Sequence, residues 1–452
     1  MNRTLQVFIL PLRVLWRMAD ILASLLLRAL VLVCLPAARL AFSTSRRQPR
    51  RMSVLLNNFD LDLVLAHNTR AFAALQYTHP HIPRTLSLHV GPWRRRTVRI
   101  ARTVACVCVP VPAMSLLKHC LPSLHRALAA ACGLAATVRF IRRANPLLVD
   151  CFHPNDLVWQ AVLVHWICRT RLIGQVYGND DLRQNVTHVP SFFPYALPGR
   201  LGEALGILAD KVVKLAFFRS CSIVVCYNTD NAKHAICNGA APEKILQLRI
   251  KIDRSMLDSP LRPRNELEGF PQQGRVLGHW SRLEVTKRSL EGFVQACEAI
   301  VDRPDVSLVV IGDGGQLGAM KRHAAERGLE DRVYFPGMRS LSYIRSALAH
   351  MDAAYFPLGG NTLVEAALNK VPVAVWDLEW HSEFIRPGET GYLATYGEPD
   401  GLARAIGQAL DNPAEARALA ERCKALAEAM FDETRIDELA SRFFEQALAR
   451  MA

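Results

Sequence analysis

The sequence predicts an α/β protein built from two doubly wound domains, with an N-terminal amphipathic helical segment in front of them. Three observations carry that prediction. At 452 residues the chain exceeds the roughly 250–300 residues at which single hydrophobic cores stop growing. From about Val104 onward, short β-rich apolar runs alternate with longer helical patterns, as in a parallel sheet wrapped by helices. A stretch rich in proline, charge and glycine, residues 261–274, separates two such regions and reads as a linker. Hydrophobic residues make up 50% of the chain and charged residues 21%, so most of it has the composition to fold.

Residues 1–51 come first and are basic, with nine arginines against the single acid Asp20. Arg3, Gln6, Arg13, Arg17, Asp20, Ser24, Arg28 and Arg39 fall within about 100° of a helical wheel. A narrow polar stripe beside a broad apolar face suits a helix lying in a membrane interface, with arginines reaching anionic headgroups. The alternative is a helix packed on the protein's own body or on a partner chain. The longest charge-free stretch, residues 29–38, is ten residues, short of the roughly 18–20 that a simple span needs. Pro11 and Pro36 are expected to break or bend the helix.

The net charge of +14 is local. Besides residues 1–51 it sits in Arg94, Arg95, Arg96, Arg99 and Arg102, and the rest of the chain is close to neutral. Neither patch carries a nucleic-acid motif or interleaved aromatics, so nucleic acid is not an expected partner. Twelve scattered cysteines form no C-x-x-C pair, which suits buried thiols in a reducing compartment better than disulfides or zinc.

The first domain is placed at 52–260. Its strands are expected at 104–109, 147–152, 172–177 and 223–227, while 52–103 is not resolved into elements. The second, at 275–452, reads more clearly. Strands at 276–278, 306–311, 332–335, 353–356 and 371–375 alternate with helices near 288–300, 316–327, 341–350 and 362–369, and the last helix is expected at 432–451. Doubly wound sheets bind ligands beyond the C-terminal ends of their strands, which directs attention to the loops there.

Three of those loops carry chemistry. Arg282 and Lys287 lie five residues apart on one loop and are suited to converge on a diphosphate, the arginine as a planar fork and the lysine as a point charge. The run Phe356-Pro357-Leu358-Gly359-Gly360-Asn361-Thr362 takes a strand into a helix through two glycines, so backbone N–H groups face an incoming anion. Glu365, one turn on, is suited to accept from ribose hydroxyls, although Thr362-x-x-Glu365 also reads as a capping box. Ile311-Gly312-Asp313-Gly314 is a strand ending in a tight turn.

Taken in order, Arg282 and Lys287, Ile311-Gly312-Asp313-Gly314, Tyr334-Phe335-Pro336-Gly337, Glu365-Ala366-Ala367 with Val371-Pro372-Val373, and Gly388-Glu389-Thr390-Gly391-Tyr392-Leu393 resemble the C-terminal domain of retaining GT-B glycosyltransferases of family 4, also called group 1. The resemblance implies two Rossmann-like domains facing a cleft and sugar transfer from a nucleotide-diphosphate sugar with retention. It implies that Arg282 and Lys287 bind the donor diphosphate, that Gly360, Asn361 and Thr362 cradle phosphate, and that Glu365 holds the ribose. No metal and no cofactor are implied, the nucleotide sugar being a substrate.

Two positions depart from the family pattern. Pro357 stands where the family usually has a glutamate that touches the transferred sugar. In the first domain, Val149-Asp150-Cys151-Phe152-His153 is similar to a family strand ending in histidine, and residues 173–180 to one ending in His-Gly, with Tyr177 in place of that histidine. His153, Tyr177 and Asp180 are therefore the candidate catalytic residues. The expectation is a hexosyltransferase of surface polysaccharide assembly, peripheral at the cytoplasmic face of the cell membrane, with a glycan or lipid-linked acceptor and an anionic membrane surface as partners. The rival is a catalytically weak nucleotide-sugar-binding or scaffold relative.

Overall fold

A computed structural model describes residues 3–42, 48–57, 82–91, 95–100, 102–111, 115–153, 157–176, 199–249, 257 and 260–449. The chain divides into two compact units, one of Met1–Gln184, His188–Leu248 and Asp437–Ala452, the other of Asn185–Thr187 and Arg249–Ile436.

The first unit opens with helix α1 (Arg3–Phe42). Its eight strands are β1 (Arg50–Asn57), β2 (Thr85–Gly91), β3 (Arg96–Arg99), β4 (Val104–Pro110), β5 (Pro146–His153), β6 (Arg171–Val176), β7 (Cys221–Cys226) and β8 (Ile245–Gln247). They form one sheet in the order β3-β4-β2-β1-β5-β6-β7-β8, parallel except for the antiparallel β3–β4 pair. The helices between them are α2 (Ser115–Cys120), α3 (Pro122–Ala144), α4 (Val158–Cys168), α5 (Gly199–Ser220) and α6 (Thr229–Cys237). Alternate strand residues Val54, Leu56, Val149, Cys151, Val224 and Cys226 form one buried cluster with Val138 and Ile141 of α3, Val164 of α4 and Phe217 of α5. Burial pushes the Cys168 thiol up to about 11 and the Cys226 thiol up to about 12, so both pack as small apolar groups.

The alternate face of the same sheet mixes buried apolar residues such as Leu55, Leu148 and Ile173 with hydrogen-bonded polar ones. Ser53 Oγ and Thr85 Oγ1 lie 3.0 Å apart, and Ser87 Oγ is 2.9 Å from His89 Nε2. Gln175 Nε2 donates to Asp150 Oδ2 at 2.6 Å, and the Tyr227 hydroxyl donates to Gln175 Oε1 at 2.6 Å. Asp150 Oδ1 is buried with no hydrogen-bond partner and borders a cavity of about 30 Å³ shared with Ser53, Thr85 and Phe444. Burial pushes the Asp150 carboxyl up to about 7, against the opposing hydrogen bond from Gln175. For an acid raised in the fold, the stabilising contribution is complete below the ordinary value of 3.8 and is lost as pH rises through about 7. Asp150→Asn is therefore expected to raise the melting temperature relative to wild type at pH 8 and to leave it nearly unchanged at pH 4. Paired thermal melts across that range check it.

Helix α1 packs along α3 and α4. It runs uninterrupted from Arg3 to Phe42, so Pro11 and Pro36 do not break it. Each proline removes a single backbone hydrogen bond, and the packing of α1 on α3 and α4 holds the rest. Its polar stripe turns inward at its centre, while Arg17 is exposed and Arg28 and Arg39 are half-buried. Asp20 and Ser24 are buried, and the Asp20 carboxylate accepts from the Ser123 and Leu124 amides at 2.9 and 2.8 Å, capping the N-terminus of α3. The Trp16 indole donates to Cys120 O at 2.7 Å, and the Arg39 guanidinium lies 4.6 Å from the centroid of a Trp166 ring. The outward face is apolar, with Trp16, Leu22, Leu26, Leu30, Val33 and Leu40 exposed. Trp16–Ala41 is long and apolar enough by length and composition to cross a membrane, as is Pro122–Ala144. Charge-free stretches count every charge as a break, whereas the apolar residues between Arg17, Arg28 and Arg39 keep the mean hydropathy of the helix high.

The second unit holds β9 (Arg275–Trp280), β10 (Val306–Ile311), β11 (Val333–Gly337), β12 (Ala353–Phe356), β13 (Val373–Trp376) and β14 (Tyr392–Ala394). They form a wholly parallel sheet ordered β11-β10-β9-β12-β13-β14. Its helices are α7 (Ser289–Ile300), α8 (Leu317–Glu326), α9 (Leu341–Leu348), α10 (Asn361–Leu368), α11 (His381–Phe384), α12 (Gly401–Asp411) and α13 (Pro413–Met430). Two apolar clusters flank the sheet, one around Phe293, Leu308, Val310 and Ile406, the other around Val276, Val309, Leu363 and Phe384. The order in which strands are added reverses between β9 and β12, which makes that gap the topological switch point where such sheets bind ligands. The last helix, α14 (Glu433–Ala449), returns from Asp437 onward to the first unit instead of closing the second. Phe444 borders the Asp150 cavity, and Leu448 lines a second one of about 430 Å³ with Arg51 and Arg171.

Candidate functional site in the second unit

The loops after β9, β10, β12 and β13 all leave the same edge of the second sheet. The β9 loop contains Arg282, which is exposed, and Lys287, which is half-buried at the end of a single 3₁₀ turn, Val285–Lys287. Its neighbour Arg288 turns away, stacking 4.2 Å over the Tyr396 ring, bonding its hydroxyl and pairing with Glu291. The Gly312-Asp313-Gly314 turn braces this loop. Ser281 N donates to Ile311 O at 3.1 Å, Leu283 N to Asp313 O at 2.9 Å and Gln316 N to Leu283 O at 3.0 Å. Gly312 and Gly314 sit at φ of 142° and 154°, and a Cβ on either would lie 2.0 Å from Ser281 O or 2.4 Å from Leu283 O. Only glycine permits that approach. The tight turn thus has a definite task, to hold the backbone on either side of Arg282.

Across the switch point, Gly359 is buried while Gly360 is half-buried and Asn361 exposed. Gly360 is the N-cap of α10, so Leu363 occupies the third helical position. Thr362 and Glu365 are two residues out of register for a capping box, and that reading falls away. Glu365 Oε2 instead accepts from Trp280 Nε1 at 2.9 Å, joining α10 to the end of β9. The neighbouring His279 ring stacks on Tyr355 at 4.8 Å and its Nδ1 lies 2.9 Å from Tyr355 O. Its Nε2 lies 2.8 Å from Ser281 Oγ, and burial lowers its pKa to about 4. Pro357 is buried against α7, where a Cβ at Gly292 would lie 2.0 Å from its ring. A glutamate at 357 would have to leave that packed position to reach a ligand.

Lys287 lies close enough to His381 for its charge to lower the imidazole pKa, after burial as the main cause. His381 in turn touches Gly359. Besides that action of the Lys287 charge, two side chains tie these loops together: His381 to Gly359 and Trp280 to Glu365. Neither of those two was foreseen. The signal for Trp280 was present, as a tryptophan at the end of a β-strand, where the indole N–H needs a partner.

In the first unit, His153 ends β5, at the C-terminal edge of that sheet beside Val176 of β6. Tyr177 and Asp180 lie outside the described residues. Among the described residues no group of three or more His, Cys, Asp or Glu side chains could hold a metal ion.

These two doubly wound units make the fold GT-B. Residues 274–412 match the family described as Glycosyl transferases group 1, which takes in the site just described. A crystal structure of Anabaena HepE in complex with UDP and glucose superposes with a TM-score of 0.59 at 18% identity, over 87% of this chain and 100% of that one. Lipopolysaccharide core biosynthesis glycosyltransferase LpsE of Rhizobium meliloti is 28% identical over 229 residues, 48% of this chain and 62% of that protein. Alpha-monoglucosyldiacylglycerol synthase of Streptococcus pneumoniae is 24% identical over 280 residues, 59% of this chain and 60% of that protein. The chain thus spans less than two thirds of the length of these curated relatives.

Proposed function

We propose that the protein is a retaining glycosyltransferase that moves a hexose from a nucleotide-diphosphate sugar to a membrane-associated glycan or lipid-linked acceptor in surface polysaccharide synthesis. The observation that carries this reading is the open Gly360 N-cap and Glu365, held by Trp280, at the switch point of a sheet whose segment 274–412 matches group 1 glycosyl transferases. Arg282 and Lys287 neutralise the charge that develops on the departing diphosphate, and the first amides of α10 supply donors that need no reorganisation. Glu365, oriented by Trp280, accepts from the ribose hydroxyls. His153, Tyr177 and Asp180 serve the acceptor and the reacting sugar from the first unit.

Helix α1 supports the choice of a lipid-linked acceptor. An exposed apolar helix face about 26 residues long is a membrane-binding surface, and a helix packed lengthwise on α3 and α4 lies in the interface rather than across it. The protein then works peripherally at the cytoplasmic membrane face. Relatives named for lipopolysaccharide core biosynthesis and for monoglucosyldiacylglycerol synthesis support that choice of acceptor.

The test is to incubate the purified protein with a panel of nucleotide sugars and native membrane lipids. Donor-dependent glycolipid carrying the donor's anomeric configuration is the expected product. Nucleotide binding without turnover on any lipid would favour the scaffold reading.

A further inference from the structure

His381 opens α11, in the loop after β13, and has no exposed surface. Its Nε2 is 2.9 Å from the Gly359 amide nitrogen and 3.1 Å from the Gly359 carbonyl oxygen, while Nδ1 is 2.7 Å from Trp376 O. An amide N–H only donates, so Nε2 is the acceptor of the Gly359 bond and the single ring proton sits on Nδ1, donated to Trp376 O. This neutral form is the one burial favours. The charged groups acting on the ring are Lys287, which opposes a second proton, and Asp377, which favours one.

The two glycines differ in their surroundings. A Cβ at Gly359 would lie 3.0 Å from Leu363 Cβ, 3.1 Å from Phe356 Cβ and 3.5 Å from His381 Nε2, whereas one at Gly360 would meet nothing within 4 Å. The first glycine is walled in and hydrogen-bonded, and the second opens to a ligand. Between them they set the direction of the leading N–H groups of α10, which have no partner within the helix.

We propose that His381 is the positioning residue of the diphosphate turn: by accepting from Gly359 N it fixes the peptide on which the Gly360, Asn361 and Thr362 amides are aimed. It rests on the donor-site reading above. His381 also ties the β13 loop to the β12 loop, so the phosphate cradle is set by two strands rather than by its own short turn. The ring touches no substrate itself. Losing its acceptor leaves the buried Gly359 N–H unpaired and frees the turn to rotate.

Calorimetric titration of the full chain with UDP, GDP, ADP and inorganic pyrophosphate tests this on wild type, His381→Gln, His381→Met, His381→Asn and His381→Phe, with melting temperatures recorded for each. Gln places an oxygen near the position of Nε2 and should bind within about threefold of wild type, whereas Met, Asn and Phe, which leave the Gly359 N–H unpaired, should bind about tenfold or more weakly. Met fills nearly the volume of Gln without its acceptor, so a role in packing alone would treat Gln and His381→Met alike, and equal affinities for those two overturn the inference even if the Phe variant does not fold. Wild type binding a probe, with Asn and Phe binding as tightly, overturns the role of His381 and leaves the donor site standing. Wild type binding none of the four overturns the donor site and this inference with it.

Discussion

Lys287→Ala and Glu365→Ala are each expected to abolish detectable turnover while leaving the chain folded. Lys287 is a half-buried cation at the edge of the switch point, within electrostatic range of the ring that holds Gly359. A charge placed where an oxyanion develops is worth about 10²–10³ in rate when removed, so the loss should appear in kcat more than in donor KM. Glu365 acts on the other half of the donor. Its removal also strands the Trp280 indole N–H, so some loss of stability, about 1 kcal/mol, accompanies the loss of turnover. Glu365→Gln separates the two effects, because an amide oxygen still accepts from Trp280 while the carboxylate charge is gone. Its melting temperature should match wild type and its activity should not. Donor hydrolysis and transfer assays on the three variants decide the matter, and wild-type rates in both alanine variants would remove the donor site from this gap.

The second unit was legible because its strands are buried on both faces and read as continuous apolar runs. Residues 306–311 and 353–356 matched the observed strands. The same logic failed for 52–103, where β1, β2 and β3 lie. In β2, Thr85, Ser87 and His89 alternate with Leu86, Leu88 and Val90, which reads as a half-exposed strand or a polar loop. All three polar residues are buried, Thr85 paired with Ser53, and Ser87 and His89 paired with each other. Polar side chains that satisfy one another in this way are buried without leaving a hydrophobic trace in β2.

Of the site, the sequence held the charged and glycine residues but not what aligns them. Arg282, Lys287, Gly360 and Glu365 are visible as residue types that meet phosphate and ribose. Trp280 and His381 are visible only as an aromatic at a strand end and an isolated histidine, because their partners are 85 and 22 residues away in the chain. Sequence spacing also misdirected α1 in one respect. The wheel located the polar stripe correctly, but it cannot tell which side faces the protein, and Asp20 and Ser24 turned out to be the buried side.

That orientation makes membrane attachment the second large effect. Leu22, Leu26, Leu30 and Val33 follow one another along the outward face of α1 and are 58, 63, 58 and 76% exposed, so replacing them leaves the contacts to α3 and α4 intact. Changing all four to glutamine removes about 1 kcal/mol of transfer energy each, taking roughly half the value for full burial. The partition onto vesicles of phosphatidylethanolamine and phosphatidylglycerol should therefore fall roughly 1000-fold, with transfer to a soluble acceptor analogue unchanged. Deleting residues 1–42 is a blunter form of the same test. It should also move the protein from the membrane to the soluble fraction, but it uncovers α3 and α4 and removes the Asp20 cap from Ser123 and Leu124, so a loss of folding comes with it. Salt separates two sources of attachment, because Arg17, Arg28 and Arg39 act through a screened field and the leucines do not. If the glutamine variant sediments with vesicles as wild type does at high salt, the outward face of α1 is not what meets the lipid.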